Sequence, residues 1–93
     1  MIKLLTETEE EVLVEELVEP SKAIIVYNDD YNTFPHVIEC FMKYCGHSNI
    51  QAEQCAMIIH HNGKCDVKHG SYKDLKPICE ALLENHLTAK IEE

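Results

Sequence analysis

Two clusters in this 93-residue sequence hold residue types capable of chemistry. In the first, Asn28-Asp29-Asp30, adjacent carboxylates stand beside an amide oxygen. The run offers several acceptors and has no obligatory positive partner nearby. Its natural complement is an ammonium group, which has donors only. The same residues are good turn formers, and on spacing alone a strand end approaching a helix is the plainer account. The second cluster is His60-His61-Asn62-Gly63-Lys64. A histidine at a helix end commonly interacts with the last carbonyls. The functional alternative is an imidazole nitrogen of His60 accepting a hydrogen bond from a ligand where the Asn-Asp-Asp turn arrives. His61 reads as solvated.

Two other constellations are weaker. Cys40, Cys45 and His47 follow a Cys-x4-Cys-x-His spacing, with His60 and His61 downstream, but this is not a standard zinc pattern. Core thiols and surface histidines are the simpler reading, so neither a metal nor a cofactor is expected. A Cys55–His60 pair could be imagined as nucleophile and base. Yet Cys55 falls on a core-facing stripe, and nothing resembles an oxyanion hole or a glycine-rich phosphate cradle. No catalytic residue is assigned, and the chain reads as a recognition module.

The elements that must position these residues follow from periodicity. Lys22 to Tyr27 is a short run fitting a well-buried strand. After the polar stretch to Thr33, apolar residues recur as Phe34, Val37, Ile38, Phe41, Met42 and Cys45, an amphipathic helix capped by Asn32 or Thr33 and ended by Gly46. Ser48-Asn49-Ile50-Gln51 opens a second helix as a capping box. Its stripe is Ala52, Cys55, Ala56 and Ile59, widened by Met57 and Ile58, and Gly63 stops it. Lys64 to Lys68 alternates like a half-buried strand. A third helix carries Leu75, Ile78, Cys79, Leu82 and Leu83, and Pro77 argues that it begins near Asp74 and not at Ser71. Leu87 to Ile91 alternates again. The order β-α-α-β-α-β predicts an α/β chain of the α+β type: a two-layer sandwich whose three-stranded sheet is covered by three helices.

Composition bounds the partners. The net charge is −9, and residues 1–19 hold seven glutamates against one lysine, a local net of −6. Such a chain repels phosphate backbones and anionic lipid, so neither nucleic acid nor a membrane is an expected partner. Residues 1–21 read as an acidic, partly mobile extension, with an apolar cluster at Val12, Leu13, Val14, Leu17 and Val18, and residues 22–93 as one core domain. The start of the chain has no apolar run long enough for a signal peptide or a membrane span. Five cysteines with no Cys-x-x-Cys pair agree with reduced thiols and a cytoplasmic location.

Taken together, Val26-Tyr27-Asn28-Asp29-Asp30-Tyr31-Asn32-Thr33-Phe34, then a helix, then Ile59-His60-His61-Asn62-Gly63-Lys64, resembles the ClpS adaptor family over about residues 22–91. The resemblance implies a ClpS-like fold and the delivery of N-degrons, proteins whose first residue is Leu, Phe, Tyr or Trp. Their recipient would be an AAA+ unfoldase, ClpA or ClpC, engaged at its N-terminal domain and feeding the ClpP peptidase. It further implies that Asn28, Asp29, Asp30 and His60 surround the degron's α-amino group. Phe34, Val37, Ile59 and Leu87 would wall the side-chain pocket, with Asn32 and Thr33 supporting the loop. Residues 1–21 look like the segment that engages the unfoldase, and a monomer is expected.

Phe34 stands where many relatives have Met, and a stiff ring there could narrow the pocket. Asn32 replaces a frequent Thr, and Lys64 to Asn85 differs in loop and helix length from better-known relatives. Two alternatives stay open: an interaction or scaffold domain of the same fold that contacts the unfoldase but has lost or altered degron binding, and a small metal-binding redox protein.

Overall fold

Ala23 to Val26 is buried without a break, which a strand manages only in the middle of a sheet. Lys22–Tyr27 (β1) lies between Lys64–Gly70 (β2) and Thr88–Glu92 (β3), antiparallel to both, in the order β2-β1-β3. Between the first two strands run Phe34–Tyr44 (α1) and Asn49–Asn62 (α2), and Tyr72–Glu84 (α3) connects the last two. This is the expected order β-α-α-β-α-β, an α+β fold with an open three-stranded sheet. The computed structural model describes residues 21–93. The acidic extension expected over 1–21 therefore lies, apart from Ser21, outside the described residues.

Successive strand side chains point to opposite faces. Ile24 and Val26 turn into a core with Phe41, Cys45, Ala52, Ile59, Leu75, Leu82 and Leu87, drawn from all three helices and the approach to β3. Ala23 and Ile25 face the other way. There the Tyr27 phenol donates to the Glu92 carboxylate, and the Lys64 ammonium lies 6.0 Å from the centre of the Tyr27 ring. No helix among the described residues is long and apolar enough to cross a membrane.

The β1–β2 register shifts between Ile24 and Ile25, which pair with Lys68 and Asp66 and leave Val67 as the extra residue. A bulged residue falls out of the ladder. Here the Val67 carbonyl accepts a 2.7 Å hydrogen bond from Nε2–H of His47. His47 is consequently buried, packed on Phe41 with ring centres 5.5 Å apart. The expected surface position of this histidine is corrected: a bulge carbonyl inside the core needs a donor. Cys40, Cys45 and Cys79 are buried and all five thiols are free. Among the described residues no three His, Cys, Asp or Glu side chains come together as a metal site.

Further corrections concern helix α3, helix α2 and the strand ends. Helix α3 begins at Tyr72, not near Asp74, because Ser71 caps it by accepting from Asp74 N–H at 3.2 Å. Pro77 is accommodated inside the helix. In α2 only Ala52, Ala56 and Ile59 are buried, whereas Met57 and Ile58 are exposed and do not widen the core stripe. Strand β2 runs two residues beyond Lys68, and β3 begins at Thr88, one residue after buried Leu87.

Candidate functional site

Where β1 ends, the chain leaves the sheet as an exposed loop beside the last turn of α2. Gly63 stops that helix at φ +96°, a left-handed conformation favouring glycine. Its carbonyl then accepts from the Asn28 N–H at 2.8 Å, carrying the β1–β2 pairing one step past the strand. This bond brings the two sequence clusters to one place. Around them lies a cavity of about 660 Å³.

Asp29 organises the loop. Its Oδ1 accepts from the backbone N–H groups of Tyr31 and Asn32, both at 2.9 Å. Its Oδ2 accepts from the Asn32 side-chain amide at 3.0 Å and from the Thr88 hydroxyl at 3.3 Å. Burial pushes the Asp29 carboxyl up, but these donors outweigh it and hold the group below its ordinary value of 3.8. Asn32 also donates from Nδ2 to the His86 carbonyl at 2.9 Å, tying the loop to the turn before β3. Thr33 caps α1 by accepting from His36 N–H at 3.3 Å, and Pro35 occupies the first turn. Asp30 is exposed, and its carboxylate has no hydrogen-bond partner among the described residues.

The opposite wall is apolar. Phe34 and Val37 come from α1, Ala56, Met57 and Ile59 from α2, Val26 from β1, and Leu87 from the approach to β3. Phe34 is 39% exposed and stands at the mouth. Its ring meets His60 edge-on, with centres 5.9 Å apart and planes at 87°. His60 in turn packs against His61 at 5.1 Å and 73°.

The sequence-derived residues Asn28, Asp29, Asp30, Asn32, Phe34, Val37, Ile59, His60 and Leu87 all line this one cavity. Thr33 does not; it shapes the entrance to α1. Sequence reasoning missed Val26, Tyr27, Ala56, Met57 and His61, which also line it. Met57 carried a signal: an apolar residue off the tight Ala52–Ala56–Ile59 stripe has little core to enter. The cavity thus joins acceptors at its mouth to an apolar interior. This arrangement suits a ligand with a cationic end and a hydrophobic side chain.

Residues 19–90 match the family model described as ATP-dependent Clp protease adaptor protein ClpS. The ATP-dependent Clp protease adapter protein ClpS of Thermosynechococcus vestitus is 36% identical over 70 residues, 74% of either chain. The protein of the same name from Streptomyces coelicolor is 30% identical over 88 residues, 95% of this chain and 92% of that one. The chain belongs to the ClpS family of Clp protease adaptors. That from Synechocystis sp. is 33% identical over 70 residues, 74% of this chain and 71% of its own.

Proposed function

We propose that this adaptor captures proteins by their free α-amino group and a large hydrophobic first side chain (Leu, Phe, Tyr or Trp) and delivers them, in the cytoplasm, to a ClpA or ClpC unfoldase. The observation that carries the reading is the union in one cavity of Asn28, Asp30 and His60 with Phe34, Val37, Ile59 and Leu87. An α-amine has a pKa of about 7.7–8.0 and is mostly cationic at neutral pH. Asp30 offers it a carboxylate, Asn28 an amide oxygen, and His60 a ring nitrogen. Asp29, whose oxygens fasten the loop, adds negative charge nearby.

Charge-assisted hydrogen bonds contribute about 1.5–3 kcal/mol each, and burial of a Leu or Phe side chain roughly 1.5–3 kcal/mol. After the cost of association, a micromolar dissociation constant follows, about −8 kcal/mol. That strength lets an adaptor release its cargo.

The test is a titration with short peptides beginning Leu, Phe, Tyr or Trp, each with its amine free or acetylated. Free peptides are expected to bind and acetylated ones to fail. Equal affinity for both forms overturns the reading and leaves a domain that contacts the unfoldase without recognising degrons.

A further inference from the structure

His60 has an unusual support for a residue asked to aim one ring nitrogen. It is exposed in the last turn of α2, and its ring makes no hydrogen bond among the described residues. Histidines with a defined task generally have the second ring nitrogen fixed by a hydrogen bond, which sets tautomer and orientation. Without that bond an exposed ring hops between rotamers in picoseconds to nanoseconds. Hydrogen bonds weaken steeply as their angle closes, so such hopping degrades the contact.

Two other rings pack against this one. Phe34 reaches it from α1 at 5.9 Å, and His61 at 5.1 Å. Both separations lie within the 4.5–7 Å over which aromatic pairs attract. Neighbours in sequence on a helix diverge and do not ordinarily face each other. The convergence of His60 and His61 is therefore a feature of this helix end, not a consequence of adjacency.

We propose that His61 is a positioning residue: its ring, with that of Phe34, holds the His60 imidazole over the cavity mouth in the orientation that meets the ligand's amine. This rests on the reading of the cavity as an α-amine site. The contribution comes from ring packing, so another aromatic ring at position 61 supplies it and a methyl group does not.

The experiment uses the full chain, His61→Ala and His61→Tyr, with a Leu-initiated peptide in free and acetylated forms. NMR of the His60 ring provides a signal independent of binding. If the unsubstituted chain binds both peptide forms equally, the amine reading fails and the inference falls with it. If the free form alone binds, His61→Ala should weaken it about three- to tenfold and move the His60 ring resonances. His61→Tyr should restore affinity to within about twofold. Unchanged affinity in His61→Ala overturns the inference while the amine reading stands. Equal losses in both variants overturn it too, because position 61 would then act through its imidazole and not through ring packing.

Discussion

The Asn28 N–H donates to the Gly63 carbonyl at 2.8 Å, so the last bond of the β1–β2 ladder is also the bond that joins both halves of the site. Everything the Asn28-Asp29-Asp30 loop does beside His60 depends on the backbone turning at Gly63. Nothing lies within 4 Å of a Cβ added there, so a side chain meets conformational strain and not a clash. Gly63→Ala is expected to cost about 1–2 kcal/mol, the penalty of a left-handed non-glycine residue, read from the urea midpoint.

Adjacent carboxylates have different surroundings: Asp29 is bonded within its loop, and Asp30 is exposed. Asp30→Ala should weaken a free-amine peptide at least tenfold, the loss of one charge-assisted hydrogen bond, and leave the melting temperature unchanged. Asp29→Ala should lower both, because Tyr31, Asn32 and Thr88 lose their acceptor. Calorimetric titration and thermal melts of the two variants separate these outcomes. An Asp30→Ala protein that melts early would make Asp30 a structural residue.

Acid acts on the same loop. Donors hold the Asp29 carboxyl below 3.8, so the folded state binds its proton more weakly than the unfolded chain. The stabilisation is fully present above the ordinary carboxylate range and is lost as pH falls through the depressed value. Amide exchange at Tyr31 and Asn32 should accelerate, relative to an unfolded reference, on going from pH 5 to about pH 3.

Alkali acts on the thiols. Burial pushes Cys45 up to about 11 and Cys65 up to about 12, against about 8.5 for an unfolded thiol. A raised folded pKa gives stability that is complete below the unfolded value and vanishes as pH climbs through the folded one. The melting temperature should fall progressively above about pH 8.5. At pH 8, alkylation of these two cysteines should be slow until urea unfolds the chain.

Pro77 costs helix α3 the hydrogen bond its N–H would give to the Lys73 carbonyl, one turn earlier. It lies on the exposed side of the helix. Pro77→Ala should raise stability by about 1–2 kcal/mol: about 3 kcal/mol of helix propensity regained, less the entropy a proline removes from the unfolded chain and the share already relieved by local adjustment.

Helix α1 was legible because its apolar spacing and its cap at Thr33 agree, and β1 because an unbroken apolar run suits a central strand. The start of helix α3 is harder to read because Pro77 signals a break, although the Ser71 hydroxyl, which satisfies an orphan N–H, is the stronger boundary signal. In α2 the apolar residues encircle the helix, so periodicity could not say that Met57 faces a cavity and Ile58 solvent. The buried place of His47 depends on a bulge, which arises from strand pairing across the sheet and leaves no mark in the local sequence. At the site, Asn28-Asp29-Asp30 and His60 were visible as residue types. That Asp29 points into its own loop and Asp30 outward was not, since both are the same side chain on consecutive residues. The aromatic contact of His61 was missed for the same reason that adjacency on a helix normally predicts divergence.

The central position of β1 gives the site an uneven clock. Flanked by β2 and β3, its amides exchange with solvent only when neighbouring strands part, so they should belong to the slowest class in the molecule. Two residues beyond its end, the loop rests on side-chain bonds to Asp29 and exchanges by local opening. A ligand arriving at the mouth therefore meets an apolar wall anchored to the last part of the domain to open and a polar lip that opens far more often. Hydrogen exchange with and without a bound peptide should slow at the lip and stay unchanged along β1.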